Sequence, residues 1–383
     1  MMSSEFSYDK LKRKLHDDGL KDTLIAAGDL LTRKRFGRPV FDSAVKRGFI
    51  KTVSRDELRA NAHRTVPVST PTDEDTEPFV ALVGTGRILS ETGLALTDRF
   101  GIIEESAAEP EQAQQAMMEM LSRELFYGDV PIRRLLKSGS THDVSATLDT
   151  VAPLVPRYPN YYHWMVETVP KIQYLRAFEN AAHESVTVLV PANAPPFIEE
   201  TLCLLGWPQS KIAYATDSAY TVRNLVIPSY PERHASDFEW IQQEILEAVS
   251  SESEPIEGNN VYVSRSGAVE RRVLNENEVM NVLSEYGFER YCLENQSLSE
   301  NVQLFSQADL VVGPHGAGLT DIIFANDCTL LELFGEKVKQ PYELLAETLS
   351  VNYEPMYCQA DSADVVVDTE QLELRVSQLV ENI

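Results

Sequence analysis

Asp309-Leu310-Val311-Val312-Gly313-Pro314-His315-Gly316-Ala317-Gly318 is an apolar run feeding a turn with three glycines, and its reading decides the fold. Leu310, Val311 and Val312 predict a short buried strand, and the glycines predict a tight turn into a helix from about Gly318. In doubly wound α/β sheets ligands sit beyond the carboxyl ends of the strands, which is where this turn falls. Exposed N–H groups at a helix start and the positive end of its dipole suit a diphosphate. Gly316 and Gly318 remove side chains that would block its approach, and Gly313, His315 and Ala317 complete the expected cradle. His315 is expected to donate a hydrogen bond to a phosphate or a sugar. Alone, such a turn does not separate a transferase from a dehydrogenase.

The pattern alternates on both sides of the turn. Before it come strand Val261-Tyr262-Val263-Ser264, a helix over 276–286, a strand over 288–293 and a helix over 299–307. After it come strand Thr329-Leu330-Leu331-Glu332-Leu333, a helix over 341–350 and a strand over 352–358. Short apolar strands between helices favour a parallel sheet. Upstream, a helix over 161–179, strand Val186-Thr187-Val188-Leu189-Val190, a helix over 195–205, a strand near 211–214 and strand Leu225-Val226-Ile227-Pro228 predict another α/β unit. Short β-like runs at 79–83, 86–89 and 94–97 and a helix over 109–127 precede it.

The polar stretch from Ser250 to Asn260 reads as an interdomain linker, and the acidic, proline-bounded stretch 68–78 as another linker or an exposed loop. The expected organisation is a basic, mainly helical segment over 1–67, an α/β domain with a β-rich entry over 79–250, and a Rossmann-like α/β domain over 259–383. A length of 383 residues suits two domains.

A formal net charge of -25 disfavours a nucleic-acid partner, so phosphate would have to be bound locally. Few lysines (12, against 22 arginines) and 59 acidic residues suggest a surface kept hydrated in high salt, hence a halophilic source. Residues 1–60 carry 14 basic and 9 acidic side chains, and Lys10-Leu11-Lys12-Arg13-Lys14 followed by Leu20, Leu24, Ile25, Leu30 and Leu31 suits a basic amphipathic helix. It would either pack on the body or touch an anionic membrane peripherally. No run of 18 or more apolar residues and no charged start with a cleavage-site pattern is present, so the chain is expected to be cytoplasmic. Cys203, Cys292, Cys328 and Cys358 are isolated, which suggests neither a zinc cage nor a disulfide framework.

Several side chains suit chemistry at such a turn. Glu332, late in the next strand, is placed to accept ribose hydroxyls. Arg265 follows the first strand of its unit, and Arg272, with Arg271 as its competitor, would neutralise charge building on a departing diphosphate. Asn275 adjoins them, with helix capping as its alternative role. Asn160-Tyr161-Tyr162-His163-Trp164-Met165-Val166-Glu167, leading into Pro170, gathers aromatics and a histidine at a helix start. Sugar rings stack on aromatics and histidine can take a hydroxyl proton, so Tyr161, Tyr162, His163 and Trp164 suit an acceptor site, with core packing as the alternative for the aromatics.

These two features, in this order and about 150 residues apart, resemble glycosyltransferase family 61, over roughly residues 80–350. The matching elements are Asn160 to Trp164 with Glu167 and Pro170, Ser264-Arg265, Arg272 with Asn275-Glu276, Gly313 to Gly318, and Glu332. Asn301 stands where the family often has Gln, and Asp321 where Asn is common. The resemblance implies a GT-B architecture of two Rossmann-like domains facing a cleft, the C-terminal one holding a nucleotide-sugar donor and the N-terminal one presenting the acceptor. It implies inverting transfer to a glycan, lipid-linked or protein acceptor with no metal, the nucleotide sugar being a co-substrate rather than a cofactor. His163 is then the expected base, Glu167 the second choice. The competing readings are a polysaccharide pyruvyltransferase-like enzyme and a non-catalytic glycan- or nucleotide-binding regulator.

Overall fold

The branched apolar runs of the C-terminal half pair into a five-stranded sheet, all parallel, in the computed structural model of the chain, which describes residues 38–48, 50–69, 77–127, 146–250, 259–336 and 338–381. In chain order over the described residues the strands are β1 (Lys51–Val53), β2 (Arg64–Pro67), β3 (Phe79–Leu89), β4 (Ala95–Thr97), β5 (Gly101–Ile103), β6 (Ala146–Pro153), β7 (Thr187–Pro191), β8 (Ile212–Ala215) and β9 (Ala219–Pro228). They continue as β10 (Asn259–Val263), β11 (Phe288–Tyr291), β12 (Ala308–Pro314), β13 (Thr329–Phe334), β14 (Asn352–Tyr357), β15 (Gln359–Asp361) and β16 (Asp364–Val366). The basic stretch expected as an N-terminal helix, and most of both expected linkers, lie outside the described residues.

The five-stranded sheet runs β11-β10-β12-β13-β14. Its order reverses between β10 and β12, and the crevice beyond their carboxyl ends is the topological switch point of a doubly wound sheet. Side chains alternate between two cores, as strand geometry requires. Val261, Val263, Val311 and Leu330 face one core, while Tyr262, Val312, Leu331 and Met356 face another with Val279, Leu283, Leu372 and Val376. The last four lie on helices Glu276–Ser284 and Thr369–Val380.

The other large sheet runs β1-β5-β4-β3-β9-β6-β7-β8, with β2 on β3. Strands β6 to β9 pair in parallel, and β2 to β4 extend the sheet through antiparallel ladders on β3 and β9. The runs expected at 79–83 and 86–89 are one strand, bent where its register shifts around Gly84 and Gly86. Strands β1 and β2 stand where a mainly helical segment was expected. Strand β6 and helix Ala235–Ser250 were not among the expected elements; β6 is held by pairing with β7 and β9, whereas the helix carries its own signal in Phe238, Ile241, Ile245 and Val249, which recur at helical spacing along its buried face.

Two expected helices differ. The helix over 161–179 is two, Tyr161–Glu167 and Pro170–Ala182, because Pro170 has no N–H to continue the ladder and opens the second helix instead. The segment after the glycine turn is a 3-10 helix, Ala317–Phe324, rather than an α-helix. Its glycine, threonine and paired isoleucines have low helix propensity, and Leu319 to Phe324 are buried all round.

Helices Tyr161–Glu167 and Ala235–Ser250 pack on that 3-10 helix. One apolar core, with Trp164, Met165, Phe238, Ile241, Leu319 and Ile322, therefore joins the two sheets. A buried polar contact crosses beside it, where the Tyr161 hydroxyl donates to Asp321. Among the described residues no helix is long and apolar enough to cross a membrane.

At Gly86 a Cβ would come within 2.7 Å of the Leu96 carbonyl oxygen and 2.5 Å of a Leu225 methyl. Gly86→Ala is expected to destabilise the fold by about 1–3 kcal/mol, read from the midpoint of guanidinium unfolding at unchanged slope.

Candidate active site

Asn160 caps helix Tyr161–Glu167 by accepting from the His163 N–H at 3.1 Å. The cap fixes the helix phase, and His163 and Glu167, four residues apart, fall on one face. Nδ1 of His163 lies 2.9 Å from a Glu167 oxygen, which also accepts from the Tyr230 hydroxyl at 2.6 Å. Burial works to raise the Glu167 carboxyl, but His163, Tyr230 and Arg233 outweigh it and hold the group below its ordinary value. Nδ1 is buried against this carboxylate without a well-aligned hydrogen bond to it among the described residues. Lys171, buried one turn beyond Glu167, lies over the Tyr230 ring at 4.6 Å. Burial pushes its ammonium down to about 8, against the pull of Glu167 and Glu105.

The glycine turn carries a similar pair. His315 Nδ1 is 2.5 Å from Glu332 Oε1, and Glu332 Oε2 accepts from the Tyr353 hydroxyl at 2.7 Å. Glu332 is fully buried with both oxygens engaged, so its place is behind His315 rather than on a ribose, as had been expected. The imidazole is clamped by Phe334, stacked at 5.6 Å, and by the edge of Tyr342 at 5.3 Å.

Arg265 runs from the end of β10 across the turn. A Cβ on Gly316 would collide with its guanidinium, so the glycine seats the arginine as well as opening the backbone. A Cβ on Gly313 would press Val263 at 3.0 Å, and one on Gly318 would press Leu293 at 2.9 Å. Burial and the charge of Arg271 both lower the Arg265 guanidinium from its usual value. Nε of Arg265 and Nε of Arg271 are buried with no hydrogen-bond partner among the described residues. Two neighbouring cations with unmet donors at a switch point have the chemistry to receive an anion.

Arg271 adopts φ +62°, a left-handed backbone uncommon for a residue with a side chain. Arg272 is committed elsewhere: its guanidinium donates to Asp364 Oδ2 at 2.6 and 3.2 Å, and its backbone N–H donates to Oδ1 at 3.0 Å. Asn275 is equally committed, donating to the Val367 carbonyl at 2.8 Å and accepting from the Val367 N–H at 3.0 Å. Both were expected at the donor; both instead tie the loop after β10 to β16 and the residues beyond it. Sequence alone left Arg271 and Arg272 in competition, because a positive φ at arginine has no residue-type signal.

The two halves meet through aromatic edges. Tyr162 contacts His163 at 5.3 Å and Tyr342 at 5.6 Å, and Tyr342 contacts His315. Tyr162 is half-buried, its hydroxyl pushed up to about 12 by burial and by Glu167 and Glu109. Trp164 is wholly buried in the shared core, so it cannot stack on a sugar as had been expected. Tyr161 spends its hydroxyl on Asp321 and its ring on the edge of Phe197 at 5.3 Å, which makes it a link between the halves. Of the expected acceptor aromatics, Tyr162 remains beside His163.

Fold and site together define an α/β protein whose doubly wound sheet holds an arginine pair at its switch point, facing a histidine–carboxylate pair on the other half. Residues 161–331 match the model of the Glycosyltransferase 61 family. "Beta-1,2-xylosyltransferase RCN11" of Oryza sativa subsp. japonica is 25% identical over 142 residues, 33% of this chain and 27% of that protein. "Beta-1,2-xylosyltransferase" of Arabidopsis thaliana is 26% identical over 121 residues, 28% of this chain and 23% of that protein. The chain thus spans about a quarter of the length of these relatives. Rubredoxin oxygen:oxidoreductase from Desulfovibrio gigas, at TM-score 0.26 and 12% identity over 58% of this chain and 51% of that one, is too distant to inform the fold.

Burial pushes the Asp321 carboxyl up to about 7, the Tyr161 hydrogen bond opposing it. A carboxyl raised in the folded state contributes stability that is full below its unfolded value and is lost as pH climbs through the folded one. Asp321→Asn keeps an acceptor for Tyr161 and removes the titration. Its stability relative to the parent is expected to improve between pH 4 and pH 8 by about 1 kcal/mol or more, read from urea unfolding at each pH. A constant difference would show that Asp321 does not titrate in that window.

Proposed function

We propose that the chain is a glycosyltransferase that moves a sugar from a nucleotide-sugar donor to a glycan or lipid-linked acceptor. The observation that carries this reading is the apposition of His163–Glu167 and Arg265–Arg271 across the Tyr162–Tyr342 contact. In the proposed reaction His163 takes the proton of the acceptor hydroxyl through Nε2, and Glu167 stabilises the imidazolium that forms. The hydroxyl oxygen attacks the anomeric carbon as the bond to the diphosphate breaks, inverting that centre. Arg265 and Arg271 receive the charge of the departing nucleoside diphosphate. His315, held by Glu332, donates through its remaining nitrogen to a phosphate or sugar oxygen. This route calls on protein groups alone, the nucleotide sugar being a co-substrate.

The division of labour that follows is GT-B-like. Residues 79–250 present the acceptor and 259–383 hold the donor, and the shared apolar core leaves the reaction to the rim where the two histidines stand. The family match and the printed names of the relatives support a glycosyl donor and make a nucleotide-activated pentose the first to try. We place the reaction in cell-surface polysaccharide or glycoprotein glycan assembly on the cytoplasmic side of a membrane, which the basic N-terminal segment would touch.

The test is a donor screen, pentose and hexose nucleotides together with phosphoenolpyruvate, reading nucleotide diphosphate or phosphate release with cell-envelope lipid extract as acceptor. Release from a nucleotide sugar is expected; phosphate release from phosphoenolpyruvate alone would replace the assignment with pyruvyl transfer, and binding without release would replace it with a regulator. With the cognate donor, His163→Ala is expected to lower kcat by about 10²- to 10⁴-fold with little change in donor affinity. Arg271→Ala is expected to weaken nucleotide diphosphate binding far more than Arg272→Ala, whose effect should be on thermal stability. The reverse order would return the donor role to Arg272.

A further inference from the structure

Four adjacent strands of the parallel sheet end at one level. Tyr262 pairs with Val312, Pro314 with Leu333, and Phe334 with Tyr357. The ladder extends beyond the strands, since the His315 N–H donates to the Leu333 carbonyl at 3.1 Å and the Cys358 N–H to the Phe334 carbonyl at 2.7 Å. Arg265, His315, Phe334 and Tyr357 therefore form a row across the carboxyl ends of β10, β12, β13 and β14. Alternation along β13 puts Phe334 on the face of Glu332, whose neighbour is His315.

The row is a graded aromatic shelf. Phe334 is buried and stacks on His315; Tyr357 stacks on Phe334 with centroids 5.9 Å apart and planes at 26°, yet is 63% exposed. Single exposed aromatics are ordinary. This one is backed by a buried ring and stands at the far end of a row that begins with Arg265. Three inter-strand spacings of about 4.8 Å separate β10 from β14, which is the reach of an extended nucleoside diphosphate from its terminal phosphate to its base. The acceptor side, with His163, lies across the Tyr162–Tyr342 contact, so an acceptor sugar would not meet this shelf.

We infer that Tyr357 is the stacking platform for the base of a nucleoside diphosphate whose phosphates lie at Arg265 and Arg271. The inference rests on the anion-site reading of that arginine pair. Because every base presents a π-face, the platform favours a base over none and discriminates little among bases.

The test is isothermal titration of the full chain and of Tyr357→Ala and Tyr357→Phe with uridine diphosphate, guanosine diphosphate and inorganic pyrophosphate. Tyr357→Ala is expected to weaken both nucleotides by about 5- to 100-fold and leave pyrophosphate unchanged, while Tyr357→Phe keeps parental affinity. Parental nucleotide affinity in Tyr357→Ala would overturn the platform and leave the arginine site standing. Equal loss of pyrophosphate and nucleotide would also overturn it. If pyrophosphate and nucleotides all fail to bind the parent, the arginine site falls and the platform with it.

Discussion

The packing of helix Tyr161–Glu167 on the 3-10 helix Ala317–Phe324 sets the distance between the two halves of the site. Trp164 and Met165 on one side and Leu319 and Ile322 on the other are fully buried in the same core, and Tyr161 and Asp321 bond across it. Interior packing of this kind is dense and resists small displacement. His163 and Tyr162 emerge from the helix face above that core, so their position relative to His315 and Tyr342 follows from apolar contacts that touch no substrate. A two-domain enzyme with a wet interface would move its halves freely. Here the shared core joins the halves beneath the polar groups that carry the two histidines.

Within that frame each histidine is governed by the same chemistry. Both place Nδ1 within 3 Å of a carboxylate, and each carboxylate is held by a tyrosine from a remote strand or loop, Tyr230 for Glu167 and Tyr353 for Glu332. The environments differ in exposure. Glu332 is wholly buried behind His315, whereas the side chains of His163 and Glu167 are 22% and 18% exposed. A half-open histidine suits proton exchange with a hydroxyl, and a clamped one suits a fixed hydrogen bond. The arginines complete the division. Arg265 and Arg271 oppose one another with unmet donors, whereas Arg272 is neutralised by Asp364 and belongs to the scaffold.

The sequence by itself determined the parallel sheet of the C-terminal half, because short branched runs separated by helices have one economical packing, and the glycine turn lands at its switch point. It also offered His163, Glu167, Arg265 and His315 as candidates, titratable groups beside an expected helix start, strand end or glycine turn. Only the tertiary structure decided what the remaining candidates do. Trp164, Tyr161, Glu332, Arg272 and Asn275 have residue types suited to a sugar or a phosphate, but their partners, the shared core, Asp321, His315, Asp364 and Val367, lie 17 to 160 positions away where residues pair singly. Arg271 and Tyr357 show the converse. A backbone turned to positive φ and a strand register that aligns Tyr357 with Phe334 are long-range outcomes of chain pairing, and no local pattern of side chains encodes them.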